Sequence, residues 1–152
     1  VFSVGRSVDL RVRCSKLLCR PSAPSFRRYQ GREQEAVAIL DGLAASLPEI
    51  ERQVPDDKFA ALALLDHYGL RGDRAATRRW IEVFRERLIA DHKNDRYLVS
   101  VFRFCFAVAY ANAGLDDEAI AELRVMLEEP GGRRFTMIDA YLAFERFKGR
   151  PE

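Results

Sequence analysis

Phe106-Ala107-Val108-Ala109-Tyr110-Ala111-Asn112-Ala113-Gly114-Leu115-Asp116-Asp117-Glu118-Ala119-Ile120-Ala121-Glu122-Leu123 reads as two helices joined by one tight turn. Ala107 and Tyr110 share a helix face, Gly114 supplies the left-handed residue that ends the first helix, and Asp116 can accept from the free N–H groups that open the next. Ala119 and Leu123 return to the first helix. An Ala at the closest crossing lets two helices approach, while Tyr110 and Leu123 fill the space beside it. No side chain in this stretch is strongly reactive, so it predicts an architecture and not a chemistry.

The turn recurs. Gly31, Gly72 and Gly114 are 41 and 42 residues apart, and each falls between two apolar-periodic segments. Four residues before the later two glycines stand Tyr68 and Tyr110, and seven before them Leu65 and Ala107. Five residues after the three glycines stand Ala36, Thr77 and Ala119, and nine after them Leu40, Ile81 and Leu123. Composition alone does not align four columns in this way.

These columns resemble the tetratricopeptide repeat, whose helix-turn-helix units carry small, Tyr, Gly, Ala and large apolar residues at these spacings and often close on a proline. Pro48 and Pro130 lie where that proline belongs. The unit from Phe106 to Pro130 matches well, the preceding one has Thr77 in place of Ala and no closing proline, and the first keeps only its second helix, Gly31 to Pro48. The spacing exceeds the usual ~34 residues of this repeat, so longer helices, wider joins or a related α-solenoid are implied. The tail also resembles the end of helical-repeat regions in bacterial signalling proteins, although no effector domain is present.

The resemblance implies an all-α, right-handed solenoid over residues 29–152 that binds a protein or peptide without catalysis, as a fragment of a larger signalling or regulatory protein. The first helix of each hairpin lines the concave face of such a solenoid, which makes Phe59, Leu62, Asp66, Val101, Phe104, Val108 and Asn112 the candidate partner-binding residues. Of the Lys/Asn/Arg set with which some members clamp a terminal carboxylate, only Asn112 has the right type and place. An apolar helical or extended segment is therefore the expected partner.

Outward from the repeat, Ala36, Ile39, Leu40, Leu43 and Leu47 predict a helix from about Gly31 to Ser46, which Pro48 interrupts. A second helix starts near Pro55 and runs to the Gly69-Leu70-Arg71-Gly72 break. Asp73 caps a third with the stripe Ala76, Trp80, Val83, Phe84, Leu88 and Ile89. The fourth, Arg96 to Ala113, has too many apolar residues for a one-sided surface helix and should be covered on both flanks. The fifth runs from Asp116 to Glu129, and a short sixth lies within Phe135–Phe147. Before Gly31, loose alternation from Val4 to Cys14 suggests a strand. The Pro21/Pro24 segment that follows breaks regular structure, so residues 1–28 are expected to be a poorly ordered leader.

Charge separates leader from body. Residues 1–30 hold seven basic side chains against Asp9, a net +6, while residues 31–152 hold 18 basic against 22 acidic, a net −4. Arg11, Arg13, Lys16, Arg20, Arg27 and Arg28 could neutralise phosphates, which makes nucleic-acid binding by the arm the alternative function. A net acidic body gives such contacts no continuation, so a solvated arm is the better account.

Catalysis has little to work with. His67 and His92 are the two histidines and stand 25 residues apart, too far for a helical two-His metal pair, and their neighbours Asp66 and Asp91 point about 100° away on a helix. Cys14 and Cys19 lack a second ligand pair for zinc, Cys105 sits among Phe102, Phe104 and Phe106 as a small hydrophobe, and an odd count of three cysteines argues against a disulfide framework. Gly131-Gly132 lacks the Lys-Ser/Thr of a phosphate loop, and Asp116-Asp117-Glu118 suits a helix start better than a calcium loop. No enzyme activity, cofactor, metal or membrane segment is expected, and a reducing, cytoplasmic setting follows.

Overall fold

The computed structural model describes residues 33–44, 47–53, 58–128 and 147 of the chain. The basic leader with its strand, Gly31, Pro130 and the short helix expected within Phe135–Phe147 lie outside the described residues, apart from Phe147 itself. The described residues are all-helical and contain no strand. In order the elements are α1 (Glu33–Ala44), α2 (Leu47–Gln53), α3 (Lys58–Leu70), α4 (Arg74–Phe84), which continues into a π-helical turn at Arg85–Ile89, α5 (Arg96–Asn112) and α6 (Asp116–Glu128). The chain forms two compact units, Val1–His67 and Tyr68–Glu152.

In the first unit, α1 buries Ala36 and Leu40, four residues apart on one face. The helix expected to reach Ser46 ends at Ala44, and Pro48 does not simply break it: a second helix starts at Leu47 with Pro48 in its first turn. Proline is tolerated there because the first-turn N–H groups have no intrahelical acceptor. Glu49 pairs with Arg52 one turn on, Arg52 Nε donates to the Pro48 carbonyl at 3.3 Å, and Ile50 is buried on the opposite side. The part of α3 in this unit buries Ala61, Ala63, Leu64, Leu65 and His67.

The second unit contains the paired turns. α3 extends through Gly69 to Leu70, further than the Gly69-Leu70 break expected from sequence. Gly69 stays helical because its missing side chain is needed for packing: a Cβ there would sit 3.0 Å from the Ala109 carbonyl oxygen and 3.5 Å from Asn112 Cβ, so the end of α3 crosses α5 backbone to backbone.

Gly72 and Gly114 have φ of +71° and +74°, the left-handed conformation expected of them. At the first turn the N–H of Gly72 donates to the Gly69 carbonyl at 3.0 Å and that of Asp73 to Tyr68 at 3.0 Å. At the second the N–H of Gly114 donates to Ala111 at 3.1 Å and that of Leu115 to Tyr110 at 2.9 Å. Both are Schellman closures that satisfy the last carbonyls of a helix, and they coincide on a shift of 42 residues in sequence. On that shift α3 and α5 end together, at Leu70 and Asn112, and α4 and α6 begin together, at Arg74 and Asp116. Burial follows it as well: Leu64 and Phe106, Leu65 and Ala107, Thr77 and Ala119, and Phe84 and Met126 are all at most 2 % exposed.

The cap chemistry differs between the turns. Asp73 Oδ1 accepts from the Ala76 N–H at 3.0 Å, as expected. Asp116 was expected to cap α6, but that helix already begins at Asp116, and the position equivalent to Asp73 is the buried Leu115. Asp116, Asp117 and Glu118 instead place three carboxylates in the first turn, where the helix dipole favours negative charge. α5 has its own cap, Asp95 Oδ1 accepting from the Leu98 N–H at 3.0 Å.

α5 is the central helix of the second unit. Phe106, Ala107, Val108, Ala109, Tyr110 and Ala111 are buried in succession, which only a helix covered on every side allows. α6 packs along it after the Gly114 turn, and α4 with its π turn packs against it as well. Trp80 stacks on Phe84 at 5.7 Å, and His92 on Phe102 at 5.7 Å.

Two stability outcomes follow. Gly114→Ala forces an L-residue into the left-handed region and places its Cβ 3.2 Å from Arg74 Nη2, so urea denaturation should show a loss of about 1–2 kcal/mol. Thr77 is 0 % exposed with a hydroxyl that has no hydrogen-bond partner among the described residues, so Thr77→Val should raise stability by about 1 kcal/mol in the same assay.

Candidate functional site

Two features of the second unit carry side-chain chemistry: a charged cluster between helices and an apolar stripe on α5.

The cluster centres on Glu122 of α6, which is 5 % exposed although ionisable. Its Oε1 accepts from Arg103 Nη1 of α5 at 2.8 Å, and its Oε2 from Arg85 Nη2 at 2.8 Å; Arg85 Nη1 lies 3.3 Å from Oε1. Arg85 opens the π turn, lies over the Phe106 ring at 5.6 Å and also bonds the Tyr110 hydroxyl. Burial works against the charge on Arg85, but the hydrogen bond and charge of Glu122 together with Tyr110 hold its guanidinium protonated beyond the ordinary range. Burial pushes the Tyr110 phenol up, and Arg85 partly offsets that.

A second pair lies one turn nearer the Gly114 turn. Arg78 Nε donates to Glu118 Oε1 at 2.8 Å and its Nη2 engages the same oxygen; this hydrogen bond holds the Glu118 carboxyl below its usual range. Arg74 Nε donates to the Ala113 carbonyl at 3.3 Å. Arg74, Arg78 and Arg85 thus meet Ala113, Glu118 and Glu122 in ascending order, so α4 and α6 run in the same direction.

The stripe runs along the other side of α5. Tyr97 is 65 % exposed and Val101, Phe104, Cys105 and Asn112 are half-buried, whereas Val108 is 6 % exposed and is packed away from solvent. Asn112 stands beside the Gly69 crossing. Of the other residues expected to meet a partner, Leu62 and Asp66 are half-buried in α3, and the side chain of Phe59 lies outside the described residues, as do the arginines and lysine of the leader. Ala36 and Leu40 are buried, Tyr68 and Leu123 half-buried, and Pro48 exposed.

His67 is buried and His92 is stacked on Phe102, in different units of the chain. Among the described residues no group of three His, Cys, Asp or Glu side chains could hold a metal ion, Cys105 forms no disulfide, and no helix is long and apolar enough to cross a membrane. Sequence reading did not find the Glu122 cluster. Its legible signal was Glu122 itself, a carboxylate one residue before the repeat position Leu123, on a face otherwise set by Ala119 and Met126.

No protein-family model, curated protein or solved structure significantly matches this chain. The geometry of the cluster sets its own expectation. Glu122→Gln removes the carboxylate charge that joins Arg85 and Arg103, leaving Arg85 the more exposed Glu82 one turn away at 3.5 Å, and should cost about 3 kcal/mol in urea denaturation, while Glu118→Gln at the exposed pair should cost at most about 1 kcal/mol.

Proposed function

We propose that this chain is a non-catalytic protein-binding module built from tetratricopeptide-like helical hairpins arranged as a right-handed solenoid, and that α5 presents its partner-binding stripe. The observation that carries this reading is the pair of turns at Gly72 and Gly114. They share φ, capping bonds, helix limits and buried columns on one shift of 42 residues. A chain that repeats one helix-turn-helix device at a fixed period stacks its units and offers an extended face along them.

The parallel course of α4 and α6, one period apart, supports stacking of like helices. The stripe supports the choice of surface: from Tyr97 through Leu98, Val101, Phe104, Cys105 and Val108 to Asn112 that side of α5 carries no charged residue, and its first turns are open to solvent. Such a face suits an apolar, helical or extended segment of a protein partner.

Affinity capture with the whole chain, read by quantitative mass spectrometry, tests this. A protein retained by the natural sequence and lost with Tyr97→Glu and Val101→Asp combined, at unchanged far-ultraviolet circular dichroism, is the expected result. Retention of no protein under several salt conditions, or retention indifferent to the stripe, refutes the reading.

A further inference from the structure

We infer that the ion pairs between α4, α5 and α6 act as a pairing key that stops a hairpin of this repeat from stacking on the wrong hairpin, in particular one from a second copy of the chain. The inference rests on the repeat itself and not on the identity of any partner.

Repetition creates the problem. The two turns share their closures and their buried apolar columns, so hairpins related by the 42-residue shift offer one another similar apolar faces. Apolar packing is non-directional and separates such faces poorly.

The charged groups occur where the repeat columns disagree. Shifted by 42 residues, Arg78 corresponds to Ile120, Arg85 to Leu127, Arg103 to Ala61, Glu118 to Ala76 and Glu122 to Trp80. All five side chains that make these interhelical ion pairs therefore have apolar counterparts at the equivalent repeat position. Were a second α4 to take the place of α6, Arg78 and Arg85 would face Ala76 and Trp80 and lose both carboxylates. Were a second α6 to take the place of α4, Glu118 and Glu122 would face Ile120 and Leu127. Each wrong pairing strips interhelical partners from buried charge: with α6 replaced, Arg103 loses Glu122 and Arg85 keeps only Glu82 of its own helix at 3.5 Å, and with α4 replaced, Glu122, itself 5 % exposed, keeps Arg103 but has nothing for its second oxygen. Removing one partner from a buried charged cluster is among the costliest errors a helix interface can make. The correct pairing satisfies both oxygens of Glu122 from two different helices, which fixes the order and register of all three.

The test replaces the key by apolar residues of similar reach. The variant R85M/R103M/E122L should keep the helicity of the natural chain, and size-exclusion chromatography with light scattering should show assemblies larger than those of the natural chain that grow with concentration. Its amide NMR spectrum should show multiple or broadened resonances. A second variant, R78I/E118A, gives two surface positions the side chains of their repeat counterparts and sits on an exposed pair, so it folds whether or not the first does. It should self-associate in the same direction and to a smaller extent. Association by either variant supports the key. It is overturned if each variant that folds keeps the mass of the natural chain at every concentration and a single set of sharp resonances.

Discussion

A left-handed residue between two helices is the constraint on which the second unit depends. At Gly72 and again at Gly114 the chain must turn back within three residues while satisfying the last carbonyls of one helix, and only a residue at positive φ closes both bonds. Everything downstream follows from the direction that turn imposes. It brings α6 back along α5, places Ala119 against the buried run from Phe106 to Ala111, and carries Glu122 to a point where arginines from two other helices converge.

Two kinds of interaction then divide the labour. Small residues govern distance: Gly69 lets the end of α3 meet the Ala109 backbone, and fully buried Ala107 and Ala119 keep α5 and α6 close. Arginines govern reach: α4 and α6 are linked through long guanidinium contacts to Ala113, Glu118 and Glu122, and Arg85 adds a cation–π contact with Phe106. The π turn at Arg85–Ile89 falls between the two glycine turns whose spacing is 42 residues, one longer than the preceding spacing of 41. A π turn closes its ring around one more residue than an α turn, so it is a place where that additional residue is housed without breaking the helix.

Much of this was legible in the residues. Glycine at fixed spacing, tyrosine four before it and a small residue five after it identified the turns, and Asp73 announced its helix because a carboxylate before an amphipathic run has few other uses. Three things were hidden. Pro48 reads as a stop, although the same locked φ suits a first turn. Leu115 holds a cap position without a capping side chain, so Asp116 drew the expectation to itself. The π turn has no composition of its own. The candidate surface was legible as a stripe but not in depth: the spacing of Val101, Phe104 and Val108 places them on one side of α5, whereas only the covered second half of that helix explains why Val108 is buried and Tyr97 open. The Glu122 cluster was invisible because its partners lie 19 and 37 residues away in sequence.

The account stands on the two turns being one device used twice, and amide hydrogen exchange reads that directly. The N–H groups of Asp73 and Leu115 each close a Schellman bond, to Tyr68 at 3.0 Å and to Tyr110 at 2.9 Å. Both should exchange far more slowly than unstructured amides and lose their protection together with the helices they terminate. Exchange of either amide at the rate of an unstructured chain, while α5 and α6 remain protected, would contradict it.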